Sequence, residues 1–225
     1  MTSIKLLTEN FLNQFKYIVF LTAVFTLAGC KKNDSKFIEL PASEKPKSTD
    51  LIPIKENKPS PPIVESARNQ IGVTLSYDPA YTSLTYPGGD VPLERGVCTD
   101  VIIRALRDSH GLDLQKLVHE DMKKAFTKYP KIWGLTRPDK NIDHRRVPNL
   151  QCYFERKGYK VRGDKSVYKP GDLVTCLVGN RPHIMIVSDR ALNGVPLVIH
   201  NIGSGTVEDN SLHLYKKTGH YRIVN

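Results

Sequence analysis

Three side chains in this chain are spaced for nucleophilic chemistry: Cys98, His183 and His200. Cys98 opens the stretch Gly96-Val97-Cys98-Thr99-Asp100-Val101-Ile102-Ile103-Arg104-Ala105-Leu106. Its apolar positions, Cys98, Val101, Ile102, Ala105 and Leu106, follow the i, i+3, i+4, i+7, i+8 stripe of a helix with one buried face. Cys98 then falls in the first turn, where unpaired N–H groups and the helix dipole favour thiolate, the nucleophilic form. Taken alone, such a cysteine is as well read as a small buried hydrophobe. His183 starts one short apolar run and His200 ends the next. If the two runs form an antiparallel hairpin, the start of one strand lies beside the end of the other, and both imidazoles meet at one sheet end. A cysteine helix packed over that end completes a Cys–His–His set. One imidazole takes the thiol proton and the second orients it.

The elements that must position these groups are legible from period and punctuation. Ile63–Ile71 reads as a short amphipathic helix stopped near Gly72. Residues 76–92 are dense in proline and glycine and read as an irregular connection. The Cys98 helix runs to His110, with Gly111 as its cap. A second helix covers Leu114–Phe126, a charged loop covers Pro138–Val147, and Pro148 opens a third helix ending at Gly158. Strands follow at Leu173–Val178, His183–Ser188, Pro196–His200 and Gly219–Val224, with Asn193-Gly194 as a hairpin turn. Helices first and short antiparallel strands afterwards mean an α+β domain.

The N-terminus carries a different signal. Lys5 and Lys16 precede a 13-residue apolar run, Tyr17 to Gly29, too short to span a bilayer and suited to a signal-peptide core. The run closes on Leu27-Ala28-Gly29-Cys30, which resembles a bacterial lipobox; cleavage before Cys30 and a lipid on its sulfur are implied. Lys31, rather than aspartate, follows Cys30, which favours a periplasm-facing place on the outer membrane in a two-membrane source. Residues 30–62 are rich in Lys, Ser, Glu and Pro and read as a flexible tether. The expected organisation is therefore a leader at 1–29, a lipidated tether at 30–62, and a folded domain at 63–225. With 33 basic and 23 acidic residues the chain carries a net charge of +10, which suits an acidic polymer. No nucleic-acid recognition motif is present, and nucleic acid is not expected as a partner. Cys98, Cys152 and Cys176 remain once Cys30 is lipidated, an odd number, with Cys152 and Cys176 read as inert core residues ahead of a disulfide.

The segments Tyr86-Pro-Gly-Gly-Asp90, Gly96-Val-Cys-Thr-Asp100, Val118-His-Glu-Asp-Met122, Asn141-Ile-Asp-His-Arg-Arg146 and Ile199-His-Asn-Ile-Gly203 resemble a bacterial domain-of-unknown-function family (YijF-like). The order of cysteine helix, Lys169-Pro-Gly-Asp172 turn, histidine strand and second polar strand resembles, in turn, the NlpC/P60 superfamily of papain-like cysteine peptidases. That resemblance implies a papain-like fold, helices on a small antiparallel sheet, with an insertion of about 60 residues between the Cys98 helix and the strands. It implies Cys98 as nucleophile, His183 as base, His200 as third polar residue and Tyr86 as an oxyanion donor. An acidic residue that binds the substrate amine in that superfamily is replaced by Val97, with Asp100 as a candidate substitute or a helix cap.

The function expected is a membrane-anchored cell-envelope cysteine hydrolase acting on an amide or peptide bond of peptidoglycan, or of another envelope peptide, without a cofactor. Two other classes compete. One is a catalytically inactive wall-binding module. The other is a metal-dependent hydrolase built from His119, Glu120, Asp121, Asp143, His144 and His183, although no metal-ligand spacing is present.

Overall fold

The computed structural model describes residues 52–53, 59–164 and 167–224. The leader, Cys30 and nearly all of the tether expected over 30–62 lie outside these residues. Within the expected tether, Ile52–Pro53 forms a two-residue strand, β1, and Pro62 already opens helix α1, Pro62–Arg68. A two-residue strand β2, Ser76–Tyr77, opens the connection read as irregular and pairs in parallel with β3, Arg95–Gly96, just beyond its end.

Helix α2 spans Cys98–His110. The apolar stripe was expected to bury one face, but Thr99, Asp100, Ile103 and Arg104 are buried as well. The reason is its central place: α2 contacts α1, β3, β5 and β6, and also the following helix α3, Leu114–Ala125. Gly111 ends α2 in the left-handed region at φ 64°. Its N–H donates to Arg107 O and that of Leu112 to Leu106 O, closing the helix end. Helix α4, Val147–Arg156, carries Pro148 in its first turn, where a missing N–H costs nothing.

Five strands form the antiparallel sheet in the order β7-β6-β5-β4-β8, and β1 pairs onto β5. They are β4 Leu173–Val178, β5 Arg181–Leu192, β6 Val195–Asn201, β7 Thr206–Asp209 and β8 Lys216–Tyr221. Asn193 and Gly194 both take positive φ, as the expected hairpin turn requires. Side-chain alternation splits the core. Ile184, Ile186 and Ile199 join the helices in the larger cluster, while Met185, Val187 and Val198 join Leu212 on the opposite face. The chain is thus α+β, as its sequence pattern implies.

Candidate active site

The site lies where β5 and β6 part. Their ladder begins at Ile186↔Ile199 and Val187↔Val198; the same register would set Ile184 opposite Asn201. Instead the backbone N–H of Ile184 is directed at the Cys98 sulfur, together with the N–H of Thr99 from the first turn of α2. Asn201 fills the rest of the gap, its Nδ2 donating to Gly96 O at 3.0 Å and to Ser76 O at 3.1 Å. The N-terminus of α2 is therefore wedged between two diverging strands and fastened there by a side-chain amide.

The two histidines meet as the hairpin argument requires. His183 Nε2 and His200 Nδ1 are 2.8 Å apart, and the rings sit edge to face. His200 Nε2 lies 3.2 Å from Asp209 Oδ1 and 3.2 Å from Ser211 Oγ. The network assigns the tautomers. A carboxylate only accepts, so His200 carries its proton on Nε2 and presents a lone pair at Nδ1. His183 must then donate from Nε2, and its own lone pair is left on Nδ1, the nitrogen that can take a proton. No direct hydrogen bond joins Cys98 to His183 among the described residues; the sulfur reaches the chain at the next residue, Ile184.

Electrostatics departs from the expected low-pKa thiol. Burial pushes the Cys98 thiol up to about 12, against the lowering effect of the Ile184 and Thr99 N–H groups. Burial, with His200 beside it, pulls the His183 imidazole down to about 3, partly opposed by Asp209. A helix terminus supplies about 0.3–1 kcal/mol at exposed positions and up to about 2 kcal/mol when partly buried, whereas full burial moves a pKa by up to about 3–5 units. Desolvation therefore wins, and the resting pair is thiol and neutral imidazole. Burial opposes ionisation of Asp209, but His200 and Ser211 hold its carboxyl below the ordinary range.

A cleft of about 270 Å³ opens onto Cys98, lined by Tyr77, Pro79, Trp133, Arg146 and Pro182 among others. Two expected site residues stand elsewhere. Tyr86 packs edge-on against His119 at 5.3 Å between ring centroids, under the Lys140 ammonium, and does not line the cleft. The tyrosine that lines the cleft with Cys98 is Tyr77, paired through β2 with Gly96; burial raises its hydroxyl pKa. Asp100 is 2 % exposed and fully engaged. Arg145 donates from Nε and Nη2 to its two oxygens, each at 2.9 Å, and the Val97 N–H donates to Oδ2 at 2.6 Å. It caps the helix and neutralises a buried arginine, and no oxygen is left for a substrate amine. Gly96 is suited to this, since a Cβ there would come within 3.1 Å of the Asp100 side chain.

The residues weighed as metal ligands are dispersed. Asp121 pairs with Arg156 and Tyr129, Asp143 with Arg146, and His183 with His200. Among the described residues no three His, Cys, Asp or Glu side chains converge on a point that could hold an ion. Cys98, Cys152 and Cys176 are free thiols; Cys176 is buried and Cys152 half-buried. Sequence reasoning missed Asp209, Ser211, Asn201 and Tyr77. The first two sit on or just after β7, a strand it did not anticipate, and nothing in their local pattern marks them.

Two comparisons place the chain among known proteins. Residues 64–223 match the family model described as Domain of unknown function (DUF1287). The chain belongs to that family. It is also 58% identical over 164 residues to "Uncharacterized protein YijF" of Escherichia coli (strain K12), covering 71% of this chain and 80% of the relative. The YijF-like resemblance read from Tyr86–Asp90, Gly96–Asp100, Val118–Met122, Asn141–Arg146 and Ile199–Gly203 is thus correct.

Proposed function

We propose that this DUF1287 chain is a cell-envelope cysteine hydrolase that cleaves an amide or peptide bond, with peptidoglycan peptides as substrate. The observation that carries the reading is the hydrogen-bonded run Asp209–His200–His183, which leaves a lone pair on His183 Nδ1 beside the residue whose N–H faces the Cys98 sulfur. The order of its parts resembles NlpC/P60 peptidases, and the lipobox-like Leu27-Ala-Gly-Cys30 supports a lipid anchor in the envelope.

In this mechanism His183 Nδ1 takes the thiol proton as Cys98 attacks the carbonyl carbon. Catalytic hydrogen bonds are often long in the free enzyme and tighten when substrate binds, so the Cys98–His183 contact forms at that stage. With thiol and imidazole both neutral at rest, proton transfer accompanies attack rather than preceding it. The Cys98 backbone N–H has no partner within the first helical turn, and with the Tyr77 hydroxyl it receives the developing oxyanion. His183 then protonates the leaving amine, and water, deprotonated by His183, clears the acyl-enzyme. His200 and Asp209 hold the tautomer throughout, as the third member of such triads does.

Mass spectrometry of purified muropeptides incubated with the full chain tests this. Cys98→Ala and His183→Ala are expected at background. His200→Ala should be intermediate and Tyr77→Phe lower by about 10²-fold, with Tyr86→Phe near wild type. A folded Cys98→Ala chain that still cleaves would refute the mechanism. Wall binding with no cleavage by the wild type would convert the reading to a binding module.

A further inference from the structure

The cleft beside Cys98 has a polarity of its own. Its walls are mostly apolar, with Ile132, Trp133, Ile142 and Val147 among them, and the charged residues lining it are both arginines, Arg145 and Arg146. Arg145 is spent inside the fold. Its guanidinium is bound to both Asp100 oxygens and to Ala80 O and Asp78 O, and its side chain is 2 % exposed. Arg146 is different. Nη1 donates to Asp143 Oδ1 at 2.9 Å, and its guanidinium lies over the Trp133 ring at 4.3 Å. Nε and Nη2 have no protein partner among the described residues. The side chain is 18 % exposed, while the Asp143 beneath it is 1 % exposed. A buried carboxylate and an aromatic face thus fix a planar donor fork whose other edge meets the cleft. No carboxylate lines the cleft, so an ammonium group finds nothing to neutralise it there.

We propose that Arg146 is a specificity-determining residue that binds a substrate carboxylate in the cleft beside Cys98, so that the substrate class is an acidic peptide amide. The inference rests on the reading of Cys98 as the reacting thiol. A guanidinium held by stacking and one ion pair loses little freedom on binding, and its planar fork matches a carboxylate in a way an ammonium does not.

Trp133 is the only tryptophan of the chain and sits in the cleft, so its emission reports occupancy without any reaction. The full chain carrying Cys98→Ala is titrated with N-acetyl-glutamyl-alanine amide, in L- and D-glutamyl forms, and with the glutaminyl and lysyl counterparts. One glutamyl form is expected to bind at least about tenfold more tightly than either neutral or cationic counterpart. Raising salt from about 50 to about 500 mM should narrow the gap. Arg146→Gln should abolish the preference, and Arg146→Lys, which keeps the charge but not the fork, should keep part of it. Circular dichroism checks the fold; should Arg146→Gln fail to fold, Arg146→Lys and the peptide series carry the test. Equal affinities, a preference for the lysyl or glutaminyl peptide, or no saturable change at about 10 mM peptide would overturn the proposal. Turnover of muropeptides with no carboxylate preference removes this inference and leaves the hydrolase. A carboxylate preference in a protein without turnover removes the hydrolase and leaves Arg146 as a recognition residue.

Discussion

Replacing Asp100 by alanine separates a structural carboxylate from a substrate-binding one. The change strips Arg145 of two hydrogen bonds of 2.9 Å each and leaves its guanidinium with only Ala80 O and Asp78 O, in a residue that is 6 % exposed. It also removes the acceptor of the Val97 N–H at the start of α2. Breaking a buried pair by deleting one partner costs about 3–5 kcal/mol, because the remaining charge is buried without compensation. Losing a helix cap adds about 1 kcal/mol. Against a total stability of about 5–15 kcal/mol, this is a large fraction. With a urea dependence of about 1–3 kcal/mol per molar, the unfolding midpoint followed by circular dichroism should fall by about 2 M. The double variant Asp100→Leu/Arg145→Met should recover part of the loss, since neither charge then remains. A variant whose midpoint stays within about 0.3 M of wild type while peptide affinity drops would refute the structural reading and return Asp100 to the substrate.

Burial at the site and the lipobox-like Leu27–Cys30 motif lead to three further outcomes. His183 and His144 are pulled by burial to about 3 and about 4, while an unfolded histidine titrates near 6.5. The native imidazoles are neutral and the unfolded chain takes up protons first, so this contribution is whole above about pH 6.5 and is lost as pH falls toward 3. Urea midpoints should fall between pH 7 and pH 5, and a midpoint that rises over that interval would contradict it. Iodoacetamide at pH 7.5 should label the half-buried Cys152 before Cys98, whose buried thiol lies at about 12; rapid labelling of native Cys98 would mean a thiolate at rest. Cys30→Ser should abolish lipid labelling and shift the protein out of the membrane fraction, and a wild-type chain recovered without lipid would remove the anchor.

Much of the fold is local, and that part was legible. The 3.6-residue stripe from Cys98, the Gly111 cap, Pro148 at the start of α4 and the Asn193-Gly194 turn are each decided within a few residues. The meeting of His183 with His200 was legible for a topological reason: a hairpin brings the start of one strand to the end of the next. What stayed hidden depends on long-range contacts. Strand β7 has four residues and exists by pairing with β6, and so Asp209, which fixes the tautomers of both histidines, went unread.

Tyrosine placement shows the same limit at the reacting atom. Tyr86 and Tyr77 both precede Cys98 in a stretch rich in proline and glycine, and the two glycines after Tyr86 make it resemble the oxyanion tyrosine of NlpC/P60 peptidases. The choice is made by pairing: the Ser76 and Asp78 N–H groups bond Glu94 O and Gly96 O, and Asn201, more than a hundred residues on, adds bonds to Ser76 O and Gly96 O, which holds β2 beside β3 and puts Tyr77 in the Cys98 cleft. Asn201→Ala leaves two carbonyls without their side-chain donor, at about 1–3 kcal/mol in stability. It also loosens the strand that carries Tyr77, which then keeps only its backbone bonds to Glu94 O and Gly96 O. Its effect on turnover should therefore approach that of Tyr77→Phe, and Asn201→Ala combined with Tyr77→Phe should be little worse than either alone, because both act through one oxyanion contact. Fully multiplicative losses in the double variant would show that Asn201 and Tyr77 act independently, and would remove Asn201 as the group that positions Tyr77.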